Sequence, residues 1–314
     1  MNIISFLTSI LITLTTVPLI KKYFQNSGIF DTPDIRSQHS KPIVRVGGIA
    51  IFASFIITFL INLLIGNFNL FEISQIHILY SIVVISSFFF LIGLTDDLVN
   101  LSPFLRLGFQ FSSASIIWFM NIRIDFVNFL WFKNLELPVL ISFLITIFWI
   151  VAITNAINWF DGLDGLSAGI IFIYLIFLGQ QSMVYEQTII GLLSFIVAGS
   201  CFAFLNYNYY PAKIIMGDGG SNFLGFILSI ISILAFKNID GIIALNQSLI
   251  VVSLPVFDML YVILKRINLG KSPFYPDRNH LHHRLLNAGF SHQKTVYFIY
   301  ALAVLTIVII KIFL

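Results

Sequence analysis

Long apolar segments recur along the whole chain and constrain its fold more than any other feature. Ten such stretches alternate with shorter polar connections, and each has roughly the 17–25 residues that one helix needs to cross a bilayer. Hydrophobic residues make up 58% and charged residues 10% of the 314 residues, whereas soluble domains are about one-quarter charged. The pattern predicts an all-α, polytopic membrane protein with a single domain over residues 1–314.

The predicted membrane helices occupy ten ranges of the sequence. These ranges are 2–20, 46–65, 75–94, 104–121, 137–155, 165–182, 187–205, 219–236, 244–265 and 295–313. An even number of crossings places both termini on one side of the membrane. The first segment has Lys21 and Lys22 after it and no basic residue before it, the reverse of a secretory signal, so we expect an uncleaved helix.

Basic residues are distributed unevenly between the two sides of this topology. The odd-numbered connections carry 13 of the 17 Lys and Arg residues; the remaining four are Arg123, Lys133, Lys237 and Lys311. Because positively charged loops stay in the cytoplasm, the odd connections are predicted to be cytoplasmic and both termini periplasmic. The predicted cytoplasmic loops are 21–45, 95–104, 155–165, 206–219 and 266–294.

Composition excludes two kinds of site. The net charge of +3 is too small to indicate a nucleic-acid-binding surface. Cys201 is the single cysteine, so the chain has neither an intrachain disulfide nor a cysteine-based metal site.

Carboxylates occur at two unusual places in this apolar sequence. Asp96 and Asp97 follow an apolar run at a predicted cytoplasmic helix end. They either form an acidic helix end, or one places a metal while the other handles a proton or a phosphate. Asp258 lies inside the ninth segment after Pro255, where it is a functional candidate or a partner for a neighbouring helix.

Asparagine and aspartate recur at a regular spacing in the third predicted connection. The series is Asn155, Asn158, Asp161 and Asp164, in a segment without basic residues. On a helix the first three would share one broad face, where hard oxygen ligands suit Mg²⁺ and a diphosphate. A simple Asn/Asp/Gly turn has the same composition, but such side chains are costly beside membrane helices unless they have a use.

Two further motifs suit phosphate chemistry. The glycine-rich run 216–221 precedes the eighth segment, where backbone amides and a helix start favour an anion, although a plain helix cap looks the same. Three histidines lie close to Arg278, namely His280, His282 and His283. This cluster suits phosphate binding or proton transfer, and zinc is the weaker interpretation because no cysteine accompanies it.

With these motifs in this order, the chain resembles the polyprenyl-phosphate N-acetylhexosamine-1-phosphate transferases of the glycosyltransferase 4 type. It is most similar to the branch that uses UDP-N-acetylglucosamine and undecaprenyl phosphate. The resemblance runs from about Gly28 to His292 through DTPDIRSQHSKPIVRVGG, LIGLTDDLVNLSPFLRLGFQ, NAINWFDGLDGLSAG, NYNYYPAKIIMGDGGSNFLG, PVFDMLYVILKR and SPFYPDRNHLHHRLLNAGFSH. Several motifs in the right order are more specific than any one of them.

The resemblance implies a role for each motif, a cytoplasm-facing site and a groove for the lipid. Catalytic roles are implied for Asp96, Asp97, His282 and His283. The resemblance also implies Mg²⁺, with Mn²⁺ as a substitute, at Asp218 and Asn158. Substrate binding is implied for Asn155, Asp161, Asp164, Asn208, Arg106, His280 and Arg278, with Asn208 near the uracil and Arg106 near the diphosphate.

Two positions depart from the pattern of the family. Family members often have an aromatic residue before the MGD motif, where this chain has Ile215 and no ring to stack on uracil. They also often have a lysine in the LSP segment, where Arg106 keeps the charge but changes its geometry.

The implied reaction is an attack by polyprenyl phosphate on the sugar-linked phosphorus, which releases UMP and starts an O-antigen, capsule or teichoic-acid-like polymer. N-acetylglucosamine is the expected sugar, and N-acetylgalactosamine, N-acetylquinovosamine and N-acetylfucosamine are alternatives. Asp96 is expected to deprotonate or orient the acceptor phosphate, and a two-step route through a phospho-aspartate stays open. The expected location is the bacterial inner membrane, with a homodimer as one assembly that the resemblance allows.

A transporter or channel is the competing class of protein. It predicts charged groups near the middle of several membrane helices. This chain instead places nearly all of them at one face, and Asp258 is the main exception. An enzyme is therefore the favoured interpretation.

Overall fold

The computed structural model describes residues 2–27 and 42–313, and long helices dominate it. The helices are α1 Asn2–Ser27, α2 Gly48–Leu64, α3 Ile73–Val99, α4 Pro103–Phe119, α5 Val139–Phe160, α6 Leu166–Val184, α7 Thr188–Asn208, α8 Gly217–Leu234, α9 Leu245–Asn268, α10 Leu281–Asn287 and α11 His292–Phe313. A short 3-10 helix, Asn67–Leu70, follows α2. Each of the ten predicted segments contains a helix, so the all-α polytopic prediction is confirmed.

Most of these helices have the dimensions of membrane spans. In the part of the chain that the structure describes, eight helices are long and apolar enough to cross a bilayer, namely α1, α3, α5, α6, α7, α8, α9 and α11. Helix α2 is apolar but shorter, and α4 has 17 residues with Arg106 in its first turn. The side of the membrane on which the termini lie stays a prediction.

A small sheet and the short helix α10 were not expected from the sequence. The strands are β1 Phe126–Phe129, β2 Phe132–Glu136 and β3 Ile242–Ala244. In the order β2-β1-β3, β1 pairs antiparallel with β2 and parallel with β3. We call the region of residues 120–138 and 235–244 the sheet end. The opposite helix ends, with residues 95–106, 161–165, 209–217 and 269–291, form the polar end.

Helix α8 lies at the centre of the bundle and is buried along nearly its whole length. Two glycines let neighbouring helices approach its first turn. A Cβ on Gly93 of α3 would lie 2.2 Å from the Asp218 carbonyl oxygen, and a Cβ on Gly48 of α2 would lie 2.3 Å from the Gly220 Cα. Close backbone approach at small residues is typical of packed membrane helices, and here it brings the end of α3 against the start of α8.

Backbone hydrogen bonds join the chain before α2 to the chain before α8. Ile215 N–H donates to the Val44 carbonyl at 2.9 Å, and Gly47 N–H donates to the Ile215 carbonyl at 2.8 Å. This pairing places Arg45 at the polar end. Four charged residues of the predicted cytoplasmic loop 21–45 lie outside the described residues, namely Asp31, Asp34, Arg36 and Lys41.

Candidate active site

The carboxylates of Asp96 and Asp97 both accept backbone N–H groups. Asp97 accepts from Asp218 and Gly219, each at 2.9 Å, and so caps the start of α8 from the neighbouring helix. Asp96 accepts from Leu101 at 2.7 Å in the turn between α3 and α4. Anionic side chains are favourable at helix N-termini, so the aspartate pair fixes α3, α4 and α8 relative to one another.

Two arginines bridge three carboxylates at this point. Arg45 Nη2 lies 3.1 Å from Asp218 Oδ1, and its Nε lies 3.4 Å from Asp97 Oδ1. Arg106 forms an ion pair with Asp96, and the same nitrogen, Nη1, lies 3.4 Å from Asp218 Oδ2. We call these five residues the Asp–Arg cluster. The Asp218 side chain is 19% exposed and that of Asp97 is 2% exposed, so Asp218 is the more accessible of the two.

A cavity of about 450 Å³ opens beside the Asp–Arg cluster, within the size range of small-molecule sites. Predicted site residues on its wall are Arg106, Asn158, Asp161, Asp164, Asn208, Asp218 and His280. Predicted site residues that do not line it are Asp96, Asp97, Asn155, Arg278, His282 and His283. The structure thus gathers predicted site residues from four sequence motifs around one space and places the remaining predicted residues beside or behind its wall.

Asn155 belongs to a polar network beneath the cavity. Its Nδ2 donates to Gln110 Oε1 at 2.6 Å, and Gln110 Nε2 donates to Asn222 Oδ1 at 3.1 Å. Asn222 Nδ2 then donates to the Asp218 carbonyl at 2.8 Å. Buried polar side chains need such partners. The predicted substrate-binding residue Asn155 therefore supports the first turn of α8 from below.

The rest of the Asn/Asp series reaches the cavity because α5 ends at Phe160. Asn158 lies in the last turn, and its Nδ2 donates to Ser221 Oγ of α8 at 2.9 Å. Asp161 follows as the first residue after the helix and lines the cavity. The helical spacing predicted for the series holds to Asn158, and the loop after Phe160 turns the later members toward the same space.

Asp164 and Asn208 hold the loop that carries Asp161. Asp164 Oδ2 accepts the N–H of Ala212 at 2.9 Å. Asn208 is buried, accepts the Gly165 N–H at 3.0 Å and donates to the Ile214 carbonyl at 3.0 Å. Both ends of the Asn208 amide are therefore bonded to backbone, so this predicted uracil neighbour ties the loop to the segment before α8.

The histidine-rich segment is anchored on the intramembrane carboxylate Asp258. His280 Nδ1 lies 2.8 Å from Asp258 Oδ2, and the Leu281 N–H donates to Oδ1 at 2.6 Å. Arg284 Nη2 lies 3.3 Å from the same oxygen. Asp258 thus caps α10 from α9. This geometry agrees with one of the two interpretations that the sequence left open for Asp258, namely a structural partner for a neighbouring helix.

His282 and His283 lie behind the cavity wall. His282 is 1% exposed and packs on the loop, since a Cβ on Gly162 would lie 2.3 Å from its Nε2. Burial lowers the pKa of His282 well below its usual value. Burial and then the charges of His280 and Arg278 lower the pKa of His283 to about 4. Both rings are therefore uncharged at neutral pH, and their catalytic role stays a prediction.

The cavity residues not predicted from the sequence include three charged side chains and a tryptophan, namely Arg45, Arg266, Asp277 and Trp159. Arg266 Nε donates to Asp277 Oδ2 at 2.8 Å, and the guanidinium carbon lies 5.0 Å from the centre of the Trp159 ring. Burial raises the pKa of Asp277, but hydrogen bonds from Arg266 and Asn279 outweigh it and lower the pKa to about 2. A basic helix end followed by a loop with a single aspartate was the signal available in the sequence.

The cavity has the chemistry of a divalent-cation and phosphate site. Its wall carries four aspartates and three arginines. Burial and then the charge of Asp218 raise the pKa of Asp161 to about 7, so a nearby cation would favour its ionised form. The described residues contain no group of three or more His, Cys, Asp or Glu side chains arranged to hold a metal by themselves. The residues fit Mg²⁺, which takes few protein ligands and completes its shell with phosphate and water.

Comparison with known proteins adds independent information. The sequence model of glycosyl transferase family 4 matches residues 79–236, about half of the chain. A probable undecaprenyl-phosphate N-acetylglucosaminyl 1-phosphate transferase of Bacillus subtilis (strain 168) is 35% identical over 301 residues, which are 95% of this chain and 81% of the relative.

Two further relatives have related names. A decaprenyl-phosphate N-acetylglucosaminephosphotransferase of Mycobacterium tuberculosis (strain ATCC 25618 / H37Rv) is 31% identical over 319 residues, which cover 94% of this chain and 78% of the relative. An undecaprenyl-phosphate alpha-N-acetylglucosaminyl 1-phosphate transferase of Escherichia coli (strain K12) is 25% identical over 281 residues, which cover 87% and 73%. The matched regions include the Asp–Arg cluster residues Asp96, Asp97, Arg106 and Asp218.

Proposed function

Because this chain belongs to glycosyl transferase family 4 and is a membrane-embedded sugar-phosphate transferase, we propose that it transfers N-acetylglucosamine-1-phosphate from UDP-N-acetylglucosamine to undecaprenyl phosphate. The observation that carries the proposal is the Asp–Arg cluster, whose residues Arg45, Arg106 and Asp218 lie on the wall of a cavity at the end of a membrane bundle. The names of the relatives support the sugar and the lipid. The products would be UMP and an undecaprenyl diphosphate-linked sugar.

The donor diphosphate would lie between Asp218 and the arginines of the cavity wall. Arg45 and Arg106 bring positive charge to this point, and guanidinium groups bind phosphate oxygens in a fixed geometry. Asp218 and Asn158 would hold Mg²⁺, whose charge stabilises the diphosphate oxygens when it is bound. Asp161 and Asp164 line the cavity on the opposite loop and would meet the nucleotide-sugar.

The acceptor phosphate would approach from the side of Asp96 and Arg106. An oxygen of undecaprenyl phosphate would form a bond to the sugar-linked phosphorus. The bond from that phosphorus to the bridging oxygen would break, and UMP would leave with the electron pair. Asp96, oriented by Arg106 and by the Leu101 N–H, would orient the acceptor phosphate or take its proton. Positioning and charge neutralisation dominate such transfers.

Direct transfer is the route that this geometry supports. A phospho-aspartate would need a carboxylate oxygen that can attack the donor. Both oxygens of Asp97 accept N–H groups from α8, and both oxygens of Asp96 already have partners. A covalent phosphate on either carboxylate would weaken the contacts that hold α3 against α4 and α8.

We place the cavity on the cytoplasmic face of a bacterial inner membrane, where the excess of basic residues in the polar-end loops supports it. UDP-sugars are cytoplasmic substrates in this scheme, and the lipid-linked product would start a surface polysaccharide.

Release of UMP by the purified protein tests this function. The protein in detergent would be mixed with undecaprenyl phosphate, Mg²⁺ and UDP-N-acetylglucosamine, with the N-acetylgalactosamine, N-acetylquinovosamine and N-acetylfucosamine donors in parallel. We expect lipid-dependent release that is largest with UDP-N-acetylglucosamine and is abolished by EDTA. Release that needs no lipid, or no release from any donor by folded protein, would contradict the proposal.

A further inference from the structure

Helix α11 contacts the cavity loop although no described residue on the cavity wall belongs to that helix. The hydroxyl of Tyr300 donates to the Gly165 carbonyl at 2.5 Å. The same carbonyl accepts the N–H of Gly169 at 3.0 Å, which begins the hydrogen-bond ladder of α6. The Tyr300 hydroxyl therefore bonds to the turn that joins the loop of Asp161 and Asp164 to α6.

A notch in α6 receives the Tyr300 ring. A Cβ on Gly169 would lie 1.8 Å from the Tyr300 hydroxyl oxygen and 2.1 Å from its ring carbon Cζ. No side chain fits at such distances, so the ring occupies this place because residue 169 is glycine. The notch and the hydrogen bond together define one position for the tyrosine.

Gly165 is held from its other side as well. Its N–H donates to Asn208 at 3.0 Å, and its backbone has φ +79°, a left-handed conformation that favours glycine. The preceding residue, Asp164, is fixed by the Ala212 N–H. With Tyr300 on the carbonyl, the peptide groups around Gly165 are bonded to two further helices, α7 and α11.

We propose that Tyr300 is a positioning residue that holds the 161–165 loop in the geometry that binds the nucleotide-sugar donor. The inference rests on the proposed function, because the loop is assigned to the donor there. The residue acts through Gly165 and its neighbour Asp164, and touches no substrate. Its loss loosens the turn, so the donor has to restore the loop geometry when it binds. The acceptor lipid, which approaches at Asp96 on another helix, is not affected.

Steady-state kinetics of Tyr300→Phe in the full-length protein test the inference. The change removes one oxygen and keeps the ring in its notch. One hydrogen bond contributes about 0.5–1.5 kcal/mol, so the KM for UDP-N-acetylglucosamine should rise about two- to tenfold. We expect kcat and the KM for undecaprenyl phosphate to stay within about twofold of wild type. Equilibrium binding of UDP-N-acetylglucosamine should weaken by the same factor as the KM rises.

Tyr297→Phe is the matched control. Tyr297 lies one turn earlier on α11, and its hydroxyl bonds to Tyr209 instead of the loop. The control removes the same atom from the same helix, and it should leave the donor KM unchanged. If both variants raise the donor KM equally, the effect comes from α11 in general and the assignment to Tyr300 is wrong.

Gly169→Ala provides a second approach to the same contact. The new methyl group would displace the Tyr300 ring, so the donor KM should rise at least as much as in Tyr300→Phe. In a Tyr300→Ala background the ring is absent, and Gly169→Ala should then add less than about a twofold further effect. Equal effects of Gly169→Ala in both backgrounds would show that the notch does not serve Tyr300.

The outcomes separate this inference from the proposed function. Wild-type protein that releases no UMP contradicts the proposed function itself. Active wild type with an unchanged donor KM in Tyr300→Phe contradicts the positioning role alone. A lower kcat with an unchanged donor KM and a lower unfolding temperature indicates a merely structural tyrosine and also overturns the inference.

Discussion

The two ends of the bundle are held together by different interactions: side-chain ion pairs at the polar end and backbone hydrogen bonds at the sheet end. At the polar end, buried carboxylates and arginines from α3, α4, α8 and the chain before α2 contact one another around a cavity. At the sheet end, backbone hydrogen bonds of a three-stranded sheet join the connections between helices. Trp131, in the turn between β1 and β2, is 80% exposed. Charged side chains at the polar end cost free energy unless they bind a ligand. At the sheet end, the backbone N–H and carbonyl groups of the strands pair with one another and need no ligand.

This difference teaches where function should be sensitive to mutation. Each carboxylate of the Asp–Arg cluster has several partners, so one substitution disturbs many contacts. At the sheet end Arg123 and Asp125, two residues apart in the sequence, pair with each other at 2.6 Å, and Asp125 also accepts from Ser142 Oγ at 2.7 Å. Such local pairs contribute little to stability when exposed. The predictions below test this contrast.

The largest effect is expected for Asp218→Asn. The change keeps the shape of the side chain but removes the charge that would bind Mg²⁺ and that faces Arg45 and Arg106. Loss of one electrostatic stabiliser of this kind costs about 100- to 1,000-fold in turnover. UMP release should fall by that factor. Asp240→Asn, at an exposed position of the sheet end, is the matched control and should keep turnover near wild type. An equal loss of turnover in both variants would contradict the difference between the polar end and the sheet end.

Gly93→Ala should have the next largest effect. Its Cβ would meet the Asp218 carbonyl at 2.2 Å, so α3 has to move away from α8. Overpacking of this kind costs about 1–3 kcal/mol. A lower unfolding temperature and a lower turnover should appear together. Gly108→Ala on α4, which meets no atom within 4 Å, is the control. Full activity of Gly93→Ala would mean that the close approach is not required.

A smaller effect is expected on the stability of the protein when the pH is lowered. The folded-state pKa of His283, lowered to about 4, lies below the value of about 6.5 for an unfolded histidine. Between these values the unfolded chain binds the proton and the folded chain does not, so stability falls as pH decreases from about 6.5 toward 4. Unfolding temperatures at pH 7 and pH 5 should differ less in His283→Gln than in wild type. His77→Gln, which changes an exposed histidine at the start of α3, is the control. An equal pH response in wild type and His283→Gln would contradict the half-buried, neutral state of His283.

The smallest effect is expected for Trp131→Ala at the sheet end. The side chain is 80% exposed. The N–H of the neighbouring Leu130 donates to Asn246 Oδ1, and the change does not alter this bond. Substitutions at such sites usually change stability by less than about 0.5 kcal/mol. UMP release should stay within about twofold of wild type. A loss as large as that of Asp218→Asn would mean that the two ends are coupled.

The helices of this fold could be predicted from the sequence because apolar length alone determines a membrane span. The hairpin of β1 and β2 was missed because it lies in the short connection between the predicted membrane segments 104–121 and 137–155, where apolar length gives no signal for strands. Helix α10 was missed for another reason. It has seven residues, too few for a periodic pattern, and it depends on Asp258 of α9 for its cap.

The candidate site could be predicted in part. Asp96, Asp161 and Asp218 stand out because charged residues are rare in this sequence, and the structure brings them to one end. Arg45 could not be recognised as their partner, since its pairing with Asp218 depends on contacts between residues far apart in the sequence. The same limit applies to Tyr300, whose partner Gly165 lies 135 residues earlier. Long-range packing, and no local pattern, decides both contacts.

The central claim is that the polar end transfers a sugar together with its phosphate, and the fate of the donor phosphorus tests it most directly. UDP-N-acetylglucosamine labelled with ³²P at the sugar-linked phosphate would be incubated with the purified protein, undecaprenyl phosphate and Mg²⁺. The lipid and nucleotide fractions would then be separated. The account predicts label in the lipid and unlabelled UMP in the aqueous phase, with both products reduced about 100- to 1,000-fold for Asp218→Asn. Label that stays in the nucleotide as UDP, while the sugar reaches the lipid, would contradict it.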